Sequence, residues 1–129
     1  MKKTIYFITT LVILTIVLSA CSKDNKDLMQ GTWKAKDMSS SEYISGESMT
    51  IKGNNIKINK PQSDVVDDVL YKYYNFKDKE QSQIRFYTDK KGSKYYEKNS
   101  PDEEGTIEIK DNILIIQDDT GGKYKFEHN

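Results

Sequence analysis

Alternating apolar residues around short polar turns are the feature that most constrains the fold of this 129-residue chain. In "SMTIKGNNIKINK", apolar residues alternate at Met49 and Ile51 and again at Ile56 and Ile58, with Gly53-Asn54-Asn55 between the two pairs. Alternation of period two predicts a half-buried strand, and a Gly/Asn turn between two such strands predicts a β-hairpin. This segment therefore predicts two neighbouring antiparallel strands.

The same arrangement recurs towards the C-terminus. In "GTIEIKDNILIIQDD", an alternating segment meets a turn at Asp111-Asn112 and continues as an unbroken apolar run from Ile113 to Ile116. The next segment, "GGKYKFE", places Tyr124 and Phe126 on one strand face. The central segments "VLYKYYNFK", "QIRFYTD" and, more weakly, "SKYYEK" are aromatic-rich and also typical of strands.

These segments predict about eight or nine short strands with turns every 8–12 residues or so, which is typical of an all-β sandwich or barrel. Successive hairpins without long crossovers favour an antiparallel up-and-down meander. Closure of that meander into a small barrel would hide its edge strands. The expected fold is therefore a closed all-β barrel.

Two segments leave alternatives open. Tyr71 and Tyr73 have opposite parity to Tyr74 and Phe76, so a bulge near Tyr73 would be needed to put all four on one face. Between residues 61 and 70, Ser63 could cap a short helical turn whose apolar face holds Val65, Val66, Val69 and Leu70. We favour the helical turn, although the strand at Tyr71 could also begin earlier.

The N-terminus predicts export. Lys2 and Lys3 precede an uncharged stretch from residue 4 to residue 18, which has the length of a signal-peptide core rather than of a membrane span. Leu18-Ser19-Ala20-Cys21 follows and resembles the lipobox of bacterial lipoproteins. The resemblance implies cleavage between Ala20 and Cys21 and a diacylglyceryl group on the Cys21 sulfur. An ordinary secretory signal or an uncleaved anchor are the alternatives, and both would also export the domain.

We therefore expect three regions: a signal peptide at residues 1–20, a lipidated polar tether at 21–30 and a barrel domain at 31–129. The leader contains two lysines and no acidic residue, so the remainder has 18 basic and 20 acidic side chains. This balance gives no basic face for a nucleic acid. Cys21 is the only cysteine, so the domain must be stable without a disulfide. We expect a monomer on the extracytoplasmic face of the cell membrane.

Gly31-Thr32-Trp33 resembles the Gly-x-Trp motif of the first lipocalin strand. The resemblance implies a barrel with Trp33 at its floor and an interior that binds an apolar or amphipathic small molecule. The arginine that usually packs on that tryptophan is replaced late in the chain by Lys123 and Lys125. Trp33 could equally be a plain core residue. The candidate ligand-binding residues are Trp33, Tyr71, Tyr73, Phe86 and Tyr124.

The residues that usually perform catalysis are scarce. His128 is the only histidine and lies next to the C-terminal residue, and no nucleotide-binding or calcium-binding motif occurs. Asp118-Asp119 could be a surface Ca²⁺ site, but solvated loop charge is the simpler interpretation. We therefore expect no enzyme, metal or cofactor. The alternative to small-molecule binding is a protein-interaction module (inhibitor, immunity, exclusion or host-factor binding) that uses the "DKKGS" and "NSPDEEG" loops as contact tips.

Overall fold

The computed structural model describes residues 23–89 and 101–129 and forms a closed antiparallel barrel in which each strand pairs with the next along the chain. This confirms the predicted all-β up-and-down barrel. The strands are β1 (Gly31–Ala35), β2 (Gly46–Lys52), β3 (Asn55–Pro61), β4 (Tyr73–Phe76), β5 (Gln83–Tyr87), β6 (Glu103–Lys110), β7 (Ile113–Asp118) and β8 (Lys123–His128). The helices are α1 (Asn25–Leu28), α2 (Met38–Ile44) and a 3₁₀ turn (Asp67–Val69).

Both hairpins predicted from the turn residues are present. Lys52 pairs with Asn55 across a two-residue turn, where Gly53 has a φ of 62°. Lys110 pairs with Ile113 across Asp111-Asn112, and both of these turn residues have positive φ, at 53° and 63°. Such φ values match the right-handed twist of the strands, and Gly, Asn and Asp adopt them at the lowest cost.

Large side chains from all around the barrel fill its interior. The interior side chains that are at most 1% exposed include Trp33, Tyr74, Phe86, Leu114, Ile116 and Phe126. With so little surface exposed, these side chains pack against one another in the barrel interior. The barrel is therefore stabilised by apolar burial, with no disulfide among the described residues.

The up-and-down topology gives the barrel two distinct ends. One end carries the β2–β3, β4–β5 and β6–β7 turns together with α1, and we call it the α1 end. The side chain of Asn25 donates to the Gln81 carbonyl at 2.8 Å, and the backbone N–H of Lys26 donates to Oε1 of Gln81 at 2.8 Å. Trp33 Nε1 donates to the Met29 carbonyl at 2.7 Å. Helix α1 is thus fastened over this end of the barrel.

Helix α2 lies at the opposite end, within the β1–β2 connection. Asp37 caps it by accepting from the Ser40 N–H at 2.8 Å, and Ser45 ends it with a left-handed φ of 57°. The buried Ser40 hydroxyl accepts from the Lys125 N–H on β8 at 2.7 Å. Polar contacts therefore hold α2 against the start of β8, and the buried Ile44 adds apolar contact with the core.

Several sequence expectations differ from the structure. Residues 25–28 of the expected tether are helical, and Met29 is fully buried. Helix α2 was not predicted. The β4 register is continuous from Tyr73 to Phe76, and Tyr73 faces outwards, so the four aromatic residues from Tyr71 to Phe76 do not share one face.

The β3–β4 connection does contain one short helical turn, the 3₁₀ turn Asp67–Val69, and β4 begins only at Tyr73. The expected cap at Ser63 is wrong, because Val66 precedes the turn and no side chain caps it. Its predicted apolar face is wrong, because Leu70 is buried while Val66 and Val69 are exposed. The expected "SKYYEK" strand and the lipobox lie outside the described residues. No helix within residues 23–89 and 101–129 is long and apolar enough to span a membrane.

We predict that Phe126→Ala lowers the free energy of unfolding by about 3–5 kcal/mol, because the change leaves a cavity in a core with little freedom to collapse. Urea unfolding followed by tryptophan fluorescence measures the change. The control is Lys125→Ala on the neighbouring exposed position, which should stay within about 0.5 kcal/mol of the unmodified chain. An equal loss in both variants would contradict the packed interior.

Candidate binding surface at the tyrosine end

Four aromatic side chains meet at the end of the barrel opposite α1, which we call the tyrosine end. Tyr43 stacks on Tyr124 with ring centroids 4.1 Å apart, and Tyr71 stacks on Phe86 at 5.0 Å. The two stacks meet through Tyr43, whose ring lies 5.8 Å from Tyr71 and 6.3 Å from Phe86. These four residues form one contiguous unit, the aromatic cluster.

Topology explains why residues so far apart in sequence meet there. Tyr43 comes from the β1–β2 connection, Tyr71 from the β3–β4 connection, Phe86 from the end of β5 and Tyr124 from the start of β8. In an up-and-down barrel these four places share one end. Phe86 pairs with the buried Tyr74, and Tyr124 pairs with the buried Ile116, so both point to the inner side of the sheet.

Burial dominates the electrostatics of the two inner tyrosines. It raises the pKa of both Tyr43 and Tyr71 well above the ordinary value, and the Glu103 carboxylate raises the pKa of each further. The Tyr43 hydroxyl is buried and makes no hydrogen bond of ordinary geometry within the described residues. Both groups therefore remain neutral phenols at any physiological pH.

Two carboxylates extend the inner sheet face towards the same end. Glu103 pairs with the inward Phe86, and Asp118 pairs with Gly105 on the neighbouring strand. Burial, followed by the like charges of Asp118 and Asp119, raises the pKa of Glu103. No cationic side chain among the described residues forms an ion pair with Glu103. The inner rim of the tyrosine end is therefore aromatic and acidic.

Asp118 is fully engaged in its own turn. Its Oδ1 accepts from the Gly122 N–H at 2.8 Å and the Thr120 hydroxyl at 2.8 Å, and its Oδ2 accepts from the Tyr124 hydroxyl at 2.7 Å. These hydrogen bonds lower the pKa of Asp118, that from Tyr124 most. The structure therefore explains Asp118 as the organiser of the β7–β8 turn. No group of three or more metal-ligating side chains occurs within the described part of the chain.

The β3–β4 connection brings exposed apolar residues to the tyrosine end. Val66 and Val69 expose 64% and 54% of their surface, whereas Leu70 in the same loop exposes 7%. The loop also contains Asp64, Asp67 and Asp68, of which Asp67 pairs with Lys72 at 2.9 Å. These two valines contribute little to the packing of the core, because most of their surface is exposed to solvent.

A groove of about 500 Å³ adjoins this loop and is lined by Asp68, Lys72, Thr88 and Asp89. Other grooves lie elsewhere on the surface. One of about 430 Å³ crosses the outside of β5–β7 near Arg85 and Glu104, and one of about 450 Å³ lies beside α1 and His128. Among the described residues that line these three grooves there is no member of the aromatic cluster.

The predicted site residues divide into three locations. Tyr71, Phe86 and Tyr124 meet in the aromatic cluster. Trp33 is buried at the α1 end, where the His128 ring packs edge-on against it with ring centroids 4.9 Å apart. Tyr73 lies on the outside of the barrel next to Tyr87, with ring centroids 6.4 Å apart.

Sequence reasoning missed two members of this surface. Tyr43 lies in a Ser-rich segment with no strand alternation, and the available signal was Asp37 as a helix cap ahead of an aromatic residue. Glu103 lies in the "NSPDEEG" segment, which the sequence predicted only as an exposed loop. Its inward position follows only from the β5–β6 register. Of the expected contact loops, "DKKGS" lies outside the described residues except for Asp89. "NSPDEEG" is described from residue 101 onwards, and its residues 103–105 form the start of β6 rather than a loop tip.

No protein-family model matches the chain, and searches of curated proteins and of solved structures found no similar protein. The surface must therefore be interpreted from its own chemistry.

We predict that Glu103→Gln raises the stability of the domain at pH 7. The folded-state pKa of Glu103 lies above the ordinary value of 4.5, so the folded state binds this proton more tightly than the unfolded state does. The protein therefore loses stability as the pH rises from the ordinary pKa through the raised one. The gain from Glu103→Gln should disappear as pH falls below the ordinary value. Urea midpoints at pH 7 and pH 4 measure it.

Asp118→Asn is the matched control with the opposite sign. The folded-state pKa of Asp118 is lowered, so its contribution is present at pH 7 and lost only as pH falls through that lowered pKa. This variant should therefore be less stable at pH 7. If Glu103→Gln and Asp118→Asn both raised or both lowered the stability at pH 7, the proposed roles of these carboxylates would be contradicted.

Proposed function

We propose that this chain is an extracytoplasmic lipoprotein that is held to the membrane by a diacylglyceryl group on Cys21. The lipobox-like Leu18-Ser19-Ala20-Cys21 supports this, together with the charged start and uncharged core of the leader. Two acyl chains anchor a protein stably, whereas one does so only marginally. The domain then needs no further membrane signal.

Cys21→Ala should abolish lipidation, so that the protein is released or accumulates as an uncleaved precursor. Membrane fractionation combined with intact-protein mass spectrometry measures both results. The matched control is Ser22→Ala, which keeps the thiol and should remain anchored at the processed mass. A Cys21→Ala protein that stays in the membrane at the processed mass would disprove the anchor.

For the domain, we propose a non-catalytic protein-interaction module of lipocalin-like architecture that binds through its tyrosine end. The observation that carries this proposal is the contrast between a packed interior and the exposed Val66 and Val69 on the β3–β4 loop. A filled interior argues for recognition on the outside of the barrel. Exposed apolar residues in polar surroundings are typical of protein-binding surfaces.

A second candidate function is the binding of a small apolar or amphipathic molecule at the same end. The aromatic cluster favours it, because tyrosine rings offer apolar area with a polar edge. Such a ligand would have to lie on the rim formed by Tyr71 and Tyr124 rather than inside the barrel, since Phe86 is 1% exposed.

Photo-crosslinking in intact cells distinguishes the two functions. A photoreactive amino acid in place of Val66 should give an adduct with the mass of a second protein. The same substitution at Leu28, an exposed apolar residue on α1, is the matched control and should give none at comparable yield. If position 66 gives no protein adduct while position 124 gains a small-molecule mass, the second function replaces the first.

A further inference from the structure

We infer that the β3–β4 loop, residues 62–72, docks a basic amphipathic segment of a partner protein, with apolar partner residues on Val66 and Val69 and a cationic side chain in the groove beside Asp68. This inference rests on the proposed protein-interaction function and specifies the chemistry of the partner.

The loop is fixed at both ends before any partner arrives. The Gln62 N–H donates to the Ser45 carbonyl at 3.0 Å, and the Lys72 N–H donates to the Tyr87 carbonyl at 2.8 Å. Leu70 is buried in the core, and Val65 packs against it. A loop held in this way loses little conformational freedom on binding, which favours affinity.

The two exposed valines lie close together at the two ends of one tight turn. The Val69 N–H donates to the Val66 carbonyl at 3.2 Å, which closes one 3₁₀ turn over Asp67–Val69. This hydrogen bond keeps the backbones of Val66 and Val69 next to each other. Isolated exposed apolar residues are ordinary, but here the turn presents a pair together, while Val65 and Leu70 are turned towards the core.

Charge selects the class of partner. The loop carries three aspartates, and among the described residues only Asp67 has an ion pair, with Lys72. Asp64 and Asp68 therefore leave the loop with a net charge of about −2. The adjoining groove of about 500 Å³ is lined by Asp68 together with Lys72 and Thr88. An acidic partner would be repelled by the loop, whereas a lysine or arginine would find the Asp68 carboxylate as an acceptor.

The test uses the processed lipoprotein in nanodiscs of neutral phosphatidylcholine, with empty nanodiscs as the blank. Three synthetic peptides of equal length serve as probes: an amphipathic lysine–leucine peptide, its glutamate–leucine counterpart and a lysine–serine peptide. Fluorescence anisotropy measures each dissociation constant at low and at physiological salt. We expect the lysine–leucine peptide to bind at least about tenfold more tightly than either of the others.

Variants locate the binding. The double variant Val66→Ser/Val69→Ser should weaken lysine–leucine binding about tenfold, and Asp64→Asn/Asp68→Asn should weaken it several-fold and reduce its salt dependence. Met38→Ser, at the 78%-exposed start of α2, is the apolar control, and Asp27→Asn on α1 is the charge control. Both controls should bind as the unmodified protein does.

The inference is overturned if the glutamate–leucine peptide binds equally well, or if the valine variant binds no more weakly than Met38→Ser. Equal urea midpoints for the variants ensure that a loss reports the surface and not unfolding. If none of the peptides binds while position 66 still crosslinks to a protein in cells, only the inferred chemistry of the partner is wrong. If neither experiment gives a protein contact, the proposed function fails as well.

Discussion

The pairing of β1 with β8 is the contact on which the rest of the structure depends. Trp33 pairs with His128, Lys34 with Glu127 and Ala35 with Phe126, and this ladder joins the first and last strands of the meander. Without it the sheet would expose two edges and the core would open at its seam. Because the described residues contain no disulfide, backbone hydrogen bonds and apolar burial must hold this seam.

Closure also makes the two ends of the barrel chemically different. At the α1 end, Met29 and the His128 ring lie against Trp33. The Gln30 side chain donates to the Gly53 carbonyl and accepts from the Gly53 N–H, which fastens the segment after α1 to the β2–β3 turn. At the tyrosine end, the closing residues are aromatic rings with hydroxyls and two inward carboxylates. One end is therefore closed by hydrogen bonds, whereas the other presents aromatic rings and carboxylates, although the same strands build both.

The sequence was most informative where local rules decide the structure. The hairpins at Gly53 and at Asp111-Asn112 follow from turn chemistry and period-two alternation, and these signals depend on neighbouring residues alone. Helix α2 was not predictable in the same way, because Ser40 holds it to β8 through a contact with Lys125, which lies 85 positions further along the chain. The inward direction of Glu103 likewise depends on register. Tyr71, Phe86 and Tyr124 were identified as candidates from composition, but their meeting with Tyr43 is a property of the closed barrel.

The docking of α1 has a consequence for how the molecule sits in space. With Asn25 already bound to the barrel, only residues 22–24 separate that point from the proposed lipid at Cys21, a span of at most about 14 Å when fully extended. With so short a connection, the domain would have little freedom to change its orientation relative to the membrane. The α1 end would rest close to the lipid headgroups, and the tyrosine end would stand a barrel's length further out. A partner in solution, or one on a facing cell surface, would then meet the tyrosine end first, whereas a protein lying flat in the same bilayer would reach mainly the fastened end.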